Sequence, residues 1–203
     1  MMYHHTNQAG HTRGFTLVET LVAIAVLMLA IIGPMTIAAR GLQSAFFAKE
    51  QLTATYLAQE AIEVMRMYRD QYTMVHLGTG SDDWYGTIPA SCKSSLGCDI
   101  TVHSLSTGGI TSCDPVANCQ LRYRAVAIDP SSTSASWRGM FIHGGTYELS
   151  PYTRVVRLSS DTGANGLNEI TVDVEVTWQS TLWGGGTRVV HLQSTLFNQY
   201  DDY

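Results

Sequence analysis

From Phe15 to Ala39 the chain runs 25 residues with a single charged side chain, Glu19. As a helix this run is about 37 Å long, enough to cross a hydrocarbon core of about 30 Å with some tilt. Beyond it the pattern changes but stays helical. Between Gly41 and Asp70 good helix formers dominate, and Phe46, Thr53, Leu57, Ala61, Val64 and Tyr68 recur at spacings of 7, 4, 4, 3 and 4, which places them on one face. Gly33-Pro34 interrupts the apolar half. A proline there removes one helical hydrogen bond and clashes with the preceding turn, so a kink or local melting is expected, with the helix resuming afterwards. Continuous from Phe15 to Arg69, such a helix is roughly 80 Å long.

After residue 70 the period shortens to two. The stretches TRVVRLSS from Thr153, NEITVDVEVTW from Asn168 and TRVVHLQSTLF from Thr187 read as strands. In the middle one Ile170, Val172, Val174, Val176 and Trp178 share one face, and Thr171, Asp173, Glu175 and Thr177 the other. A half-polar sheet must bury its apolar side, and the apolar stripe of the preceding helix is the natural cover. The connections DTGANGL and LWGGG are turn-forming, which predicts an antiparallel meander. A further strand is expected in QLRYRAVAI from Gln120, with loop-rich sequence over 71–119 and 129–146. The fold class is therefore α+β, a long N-terminal helix packed on a C-terminal antiparallel sheet.

The single charge in the apolar run raises a chemical question. An unpaired carboxylate in hydrocarbon costs about 2.5–3.5 kcal/mol on insertion scales, so Glu19 is a functional candidate by default. Charge elsewhere sets the expected orientation. Arg13 and the amino terminus bias the short N-terminal end to the cytoplasm by the positive-inside rule, leaving the rest outside. Net charge is −5, and residues 71–203 hold 12 acidic against 7 basic side chains, with no basic patch for nucleic acid. All four cysteines, Cys92, Cys98, Cys113 and Cys119, fall on the side expected outside, where disulfides persist. Their C-x5-C spacings do not match zinc knuckles, and two bridges are expected. The local pairs Cys92–Cys98 and Cys113–Cys119 are favoured because each closes a short loop, although four cysteines allow three connectivities.

Other chemistry is thin. His4, His5 and His11 precede the apolar run, and His76, His103, His143 and His191 follow without a ligand rhythm. There is no nucleophile elbow, P-loop or H-E-x-x-H, and no catalytic residue, metal or cofactor is assigned. The segment from Asp161 to Glu169 has oxygen ligands around glycines but reads better as a hairpin turn than as a calcium loop. The aromatics Trp84, Tyr85, Trp137, Trp178 and Trp183 form either a contact surface or part of the core.

The stretch RGFTLVETLVAI, with Arg13-Gly14, Phe15 and Glu19 ahead of an uninterrupted apolar run, resembles the processing and assembly motif of type IV prepilins and type II secretion pseudopilins. The resemblance implies that Gly14 precedes the scissile bond and that Phe15 becomes an N-methylated amino terminus, both steps performed by a dedicated membrane prepilin peptidase. It also implies that Glu19 pairs with the amino group of a neighbouring subunit when the helices bundle. A carboxylate and an ammonium compensate each other in a low-dielectric bundle, so the pair acts as a register device more than a source of stability.

The expected organisation is a leader over 1–14, a membrane and assembly helix over 15–39, an amphipathic continuation over 40–70 and an extracytoplasmic β-rich domain over 71–203. The expected protein is a minor pilin or pseudopilin, single-pass in the inner membrane and then part of an extracellular or periplasmic filament. Its partners are other such subunits, the peptidase and the membrane. The rival is a secreted or tethered binding domain that never polymerises, with an ordinary signal cut after Thr36-Ile37-Ala38; against it stands the length of the run, since cleavable apolar cores usually span about 7–15 residues.

Overall fold

The computed structural model describes residues 14–76, 83–101, 110–113, 119–123, 141–142, 147–162, 168–180 and 185–197. Helix α1 spans Leu17–His76. The chain divides into two compact units, Met1–Phe46 and Phe47–Tyr203.

In the first unit α1 is exposed at every position but Gln43, its Leu, Val, Ile and Met side chains open on all sides. It is long and apolar enough to cross a membrane. A helix apolar all round is one whose solvent is lipid or other protein. The helical assignment runs unbroken through Gly33 and Pro34, so the chain does not melt there. Just past the proline, the Thr36 hydroxyl donates to the Gly33 carbonyl at 2.7 Å.

In the second unit the remainder of α1 buries one stripe. Ala54, Leu57, Ala58, Ala61, Ile62, Val64 and Met65 are buried at the three- and four-residue steps of a helix face. Three of these are alanines, which let the helix approach its partner closely. Phe46, placed on this stripe by its spacing, is half exposed. The helix also continues six residues beyond Asp70. Thr73 is buried and its hydroxyl donates to the Arg69 carbonyl at 3.0 Å, while His76 stacks on Tyr72 one turn earlier at 4.0 Å, so local contacts carry the helix to His76.

The stripe packs against a seven-stranded sheet whose neighbouring strands all run antiparallel. Its centre is β5 (Glu148–Thr162), which pairs along one side with β6 (Asn168–Gln179), itself paired with β7 (Thr187–Phe197). The other side of β5 is shared by β3 (Gln120–Tyr123), which carries β4 (Phe141–Ile142), and by β1 (Cys98–Asp99), which carries β2 (Thr111–Ser112). The expected meander of the last three strands is therefore present, and Ile170, Val172, Val174, Val176 and Trp178 are all buried against the helix. The strand expected from Gln120 is seen as β3, with its continuation over 124–128 outside the described residues. The connecting residues 163–167 and 181–184 also lie outside them.

Pro151 sits inside β5, where it has no N–H for the ladder. The sheet absorbs it at an irregularity: the β3 register shifts between Gln120 and Arg122, as expected for proline in a strand. Gln120 Nε2 then donates to the Ser150 carbonyl at 2.8 Å, and the Tyr152 N–H to Ser150 Oγ at 3.2 Å.

A short 3-10 turn, Ala90–Lys93, leads into the loop that β1 ends. Cys92 is bonded to Cys98 and Cys113 to Cys119, with Cα–Cα separations of 4.7 and 5.0 Å. The first loop lies flat on β5 because Gly97 has φ +75° and faces Val155 and the Val156 carbonyl, leaving no room for a side chain. Removing the first bridge with Cys92→Ser and Cys98→Ser returns the entropy of a short closed loop to the unfolded chain, about 2 kcal/mol. Chemical unfolding of the full chain in detergent micelles is expected to show that loss, with secondary structure retained.

Candidate functional site

Gly14, Phe15 and Thr16 stand immediately before the first helical residue, Leu17, and all three are exposed. Thr16 starts the helix. Its carbonyl accepts the Thr20 N–H at 3.2 Å and its Oγ1 accepts the Glu19 N–H at 3.3 Å, the geometry of an N-cap. Thr16-x-x-Glu19 has the sequence of a capping box, and a carboxylate in the first turn also lies favourably against the positive end of the helix dipole. Glu19 is exposed among apolar side chains and meets no cation among the described residues. Phe15 is 80% exposed. The segment therefore offers an accessible glycyl bond two residues ahead of a capped helix and, one turn in, a carboxylate without a counter-ion.

A family model for the prokaryotic N-terminal methylation motif matches residues 9–33. The chain carries a prepilin-type N-terminal signal. Gly14, Phe15, Thr16 and Glu19 all fall inside the match, as do Gly33 and the apolar run that precedes it. No curated protein and no solved structure matches the chain. The signal and the apolar helix together support a membrane-anchored protein of prepilin or pseudopilin type, and the helix-on-sheet arrangement of the second unit is pilin-like.

The second unit contains a constellation that the motif does not cover. Arg154, on β5, is fully buried. Its Nε donates to Asp99 Oδ1 at 2.8 Å, Nη1 to the Leu57 carbonyl at 3.0 Å and to Glu60 Oε2 at 3.2 Å, and Nη2 to the Ile100 carbonyl at 2.7 Å. Burial acts to lower the guanidinium pKa, but the charges of Asp99 and Glu60 outweigh it and hold the value above the ordinary one. Arg154 is thus a permanent cation fixed between helix, sheet and the disulfide-closed loop. Every bond it makes is internal, which assigns it to the architecture and not to a reacting centre.

The remaining sequence candidates disperse. Trp84 and Trp178 are buried, the indole of Trp178 donating to Glu50 Oε2 at 3.3 Å, and Tyr85 is partly covered under Lys93, so these aromatics belong to the core and its margin. Trp137, Trp183, His103, His143 and residues 1–13 lie outside the described residues. His191 stands 3.9 Å from Asp173 on the outer sheet face, and no group of three metal-ligating side chains occurs among the described residues.

Sequence reasoning missed two things. The Thr16 cap was signalled by the T-x-x-E pattern at the head of an apolar run. Arg154 shares the parity of Val156 and Leu158 along its strand, which was enough to turn it inward, but an arginine there reads at first as a solvated edge residue. Arg154→Met is expected to cost about 3–5 kcal/mol, because it strands the buried carboxylate of Asp99. Urea unfolding of the full chain in micelles measures it. Adding Asp99→Leu to the same chain should recover much of the loss, since the fully buried carboxylate is then gone and the remaining one, Glu60, is partly exposed to water.

Proposed function

We propose that the chain is a non-enzymatic minor pilin or pseudopilin, cut after Gly14 by a prepilin peptidase, methylated on Phe15 and built into a filament. The observation that carries the reading is the exposed Glu19 carboxylate in the first turn of an apolar helix, inside a matched N-terminal methylation motif. Cleavage before Phe15 places a new ammonium two residues ahead of Leu17, at the positive end of the helix dipole, where it is unfavourable. A carboxylate from a neighbouring helix compensates that ammonium, and the ammonium compensates the carboxylate. Each subunit then supplies what the next one lacks, which fixes the axial stagger of a helical bundle.

The second unit is placed outside the cytoplasm in this reading. Its two disulfides support that side, because such bridges persist in oxidising compartments. The Phe15–Ala39 stretch spans the membrane before assembly and becomes filament interior afterwards. A minor role is favoured by the irregular sequence over 83–119, in which only a 3-10 turn and two-residue strands are regular among the described residues. Loops on a rigid scaffold suit adaptor and binding roles better than the repeated close packing of a shaft.

Glu19→Val tests the pairing. It removes a charge from the membrane span, so insertion is expected to be at least as efficient as for the natural chain. Incorporation into sheared filaments is expected to fall at least about tenfold, the effect of roughly 1.4 kcal/mol per subunit contact. Quantitative mass spectrometry of the sheared material reads both incorporation and stoichiometry. Unchanged incorporation of the variant would contradict the pairing, and finding the chain as the most abundant subunit would contradict the minor role.

A further inference from the structure

Strand β7 forms one side of the sheet. It pairs with β6 in unbroken register from Glu169↔Phe197 to Gln179↔Thr187, and with no other strand among the described residues. Its outer side therefore presents backbone N–H and C=O groups over 11 residues without a strand to receive them. Proteins usually blunt such an edge with proline, lysine, a bulge or brevity. TRVVHLQSTLF has no proline, lysine or acidic residue, and its ladder has no bulge. On the core side Val190 and Leu192 are only partly covered, although their neighbours on β6, Val176 and Val174, are fully buried. The opposite edges of the sheet, β2 and β4, are two residues each.

We propose that the free edge of β7 receives an extended strand from a different protein chain. A second copy of β7 does not complement this edge. Helix α1 runs beside β7 in the same direction: Phe47 lies under the Arg188 guanidinium at 5.5 Å, Arg66 Nη2 donates to Ser194 Oγ at 3.1 Å, and Arg69 Nη1 to the Phe197 carbonyl at 3.3 Å. Antiparallel pairing of two β7 strands about a two-fold axis reverses the two helices. Such a pair also meets Arg188 with a strand that holds no carboxylate, since TRVVHLQSTLF has none. Parallel pairing about a two-fold along the strands sets each residue level with its own copy but pointing to the opposite face, out of phase with the pleat. Head-to-tail pairing offers only the two-residue edges.

The edge also specifies the incoming chemistry. Its core side is rimmed by three arginines. Arg66 is answered by Glu63 at 2.9 Å and Arg69 by Asp70 at 2.7 Å, whereas Arg188 meets no carboxylate among the described residues. The fitting strand has apolar side chains at alternate positions, completing the cover over Val190 and Leu192, and a carboxylate where it passes Arg188. Strand addition of this kind draws affinity from the backbone and specificity from the alternate side chains. The contact does not depend on whether the chain enters a filament.

The test uses the full chain in detergent micelles and a synthetic 11-residue peptide of alternating valine and threonine, with one glutamate placed to meet Arg188. N-methylation of alternate amides leaves the peptide a single hydrogen-bonding edge. Hydrogen exchange is followed at the β7 amides that do not bond to β6. They are expected to exchange rapidly in the chain alone at every concentration, and more than about tenfold slower with saturating peptide. Replacing the peptide's glutamate by lysine should weaken the effect, and Arg188→Glu in the chain should invert that preference. Slow exchange in the chain alone overturns the proposal, as does protection that rises with chain concentration, which marks a second copy. Absence of protection at saturating peptide overturns it too.

Discussion

The guanidinium of Arg154, carried by the central strand, lies where the helix and the segment that follows the disulfide-closed loop of the second unit meet it, and both of these supply it with acceptors. Leu57 and Glu60 come from α1, Asp99 and Ile100 from β1 and the residue after it. A buried cation tolerates no partial satisfaction, because an unmade bond there costs far more than at the surface. The three elements must therefore arrive together and in one register. The hydrophobic stripe of α1 supplies the driving force for docking on β6, but a stripe of Ala, Leu and Val tolerates sliding, and the Arg154 cluster does not. The Cys92–Cys98 bridge and Gly97 serve the same end, pinning the loop that delivers Asp99 against β5.

Helix α1 thus begins and ends under opposite polar conditions. In the second unit the buried cation packed against it is met within the chain: Arg154 has two carboxylates and two carbonyls, and Trp178 and Tyr152 both donate to Glu50. In the first unit Glu19 sits among exposed apolar side chains with its backbone N–H capped by Thr16 and no cation in reach among the described residues. The same residue class, charged and in apolar surroundings, is completed in one unit and left open in the other. That contrast separates a charge that holds a fold from one that awaits a partner. The β7 edge is a second open valence, made of backbone instead of side chain.

The elements legible in the sequence are those whose period repeats often enough to be read. The apolar run, the helical stripe through Leu57, Ala61 and Val64, and the alternation of Ile170 to Trp178 each repeat over several turns or pairs, and β7 has the bounds its alternation suggests, Thr187–Phe197. The strands β1, β2 and β4 are two residues long and carry no period, so they were invisible inside what reads as loop. The sequence places the end of the helix near residue 70 because Tyr72, Thr73, Val75 and His76 favour a helix less than the residues before them, while the Tyr72–His76 stack and the Thr73 hydroxyl that sustain it are contacts and not composition. Arg154 had the right parity but the wrong residue type for a core position, and only the convergence of Asp99 and Glu60, 55 and 94 residues away, makes its burial possible. The N-terminal motif is legible for the opposite reason: Arg13-Gly14, Phe15, Glu19 and the apolar run are contiguous, so the pattern is written locally.

The central claim is that residues before Phe15 are a leader and that the functional helix starts with a modified amine. Intact-mass and peptide mass spectrometry of the chain recovered from the membrane of its native host tests this directly. The account predicts an N-terminal peptide beginning at Phe15 and heavier than its sequence by one methyl group. A chain that begins near Ala39 or Arg40, or that retains Arg13-Gly14 in all of the recovered protein, would contradict it.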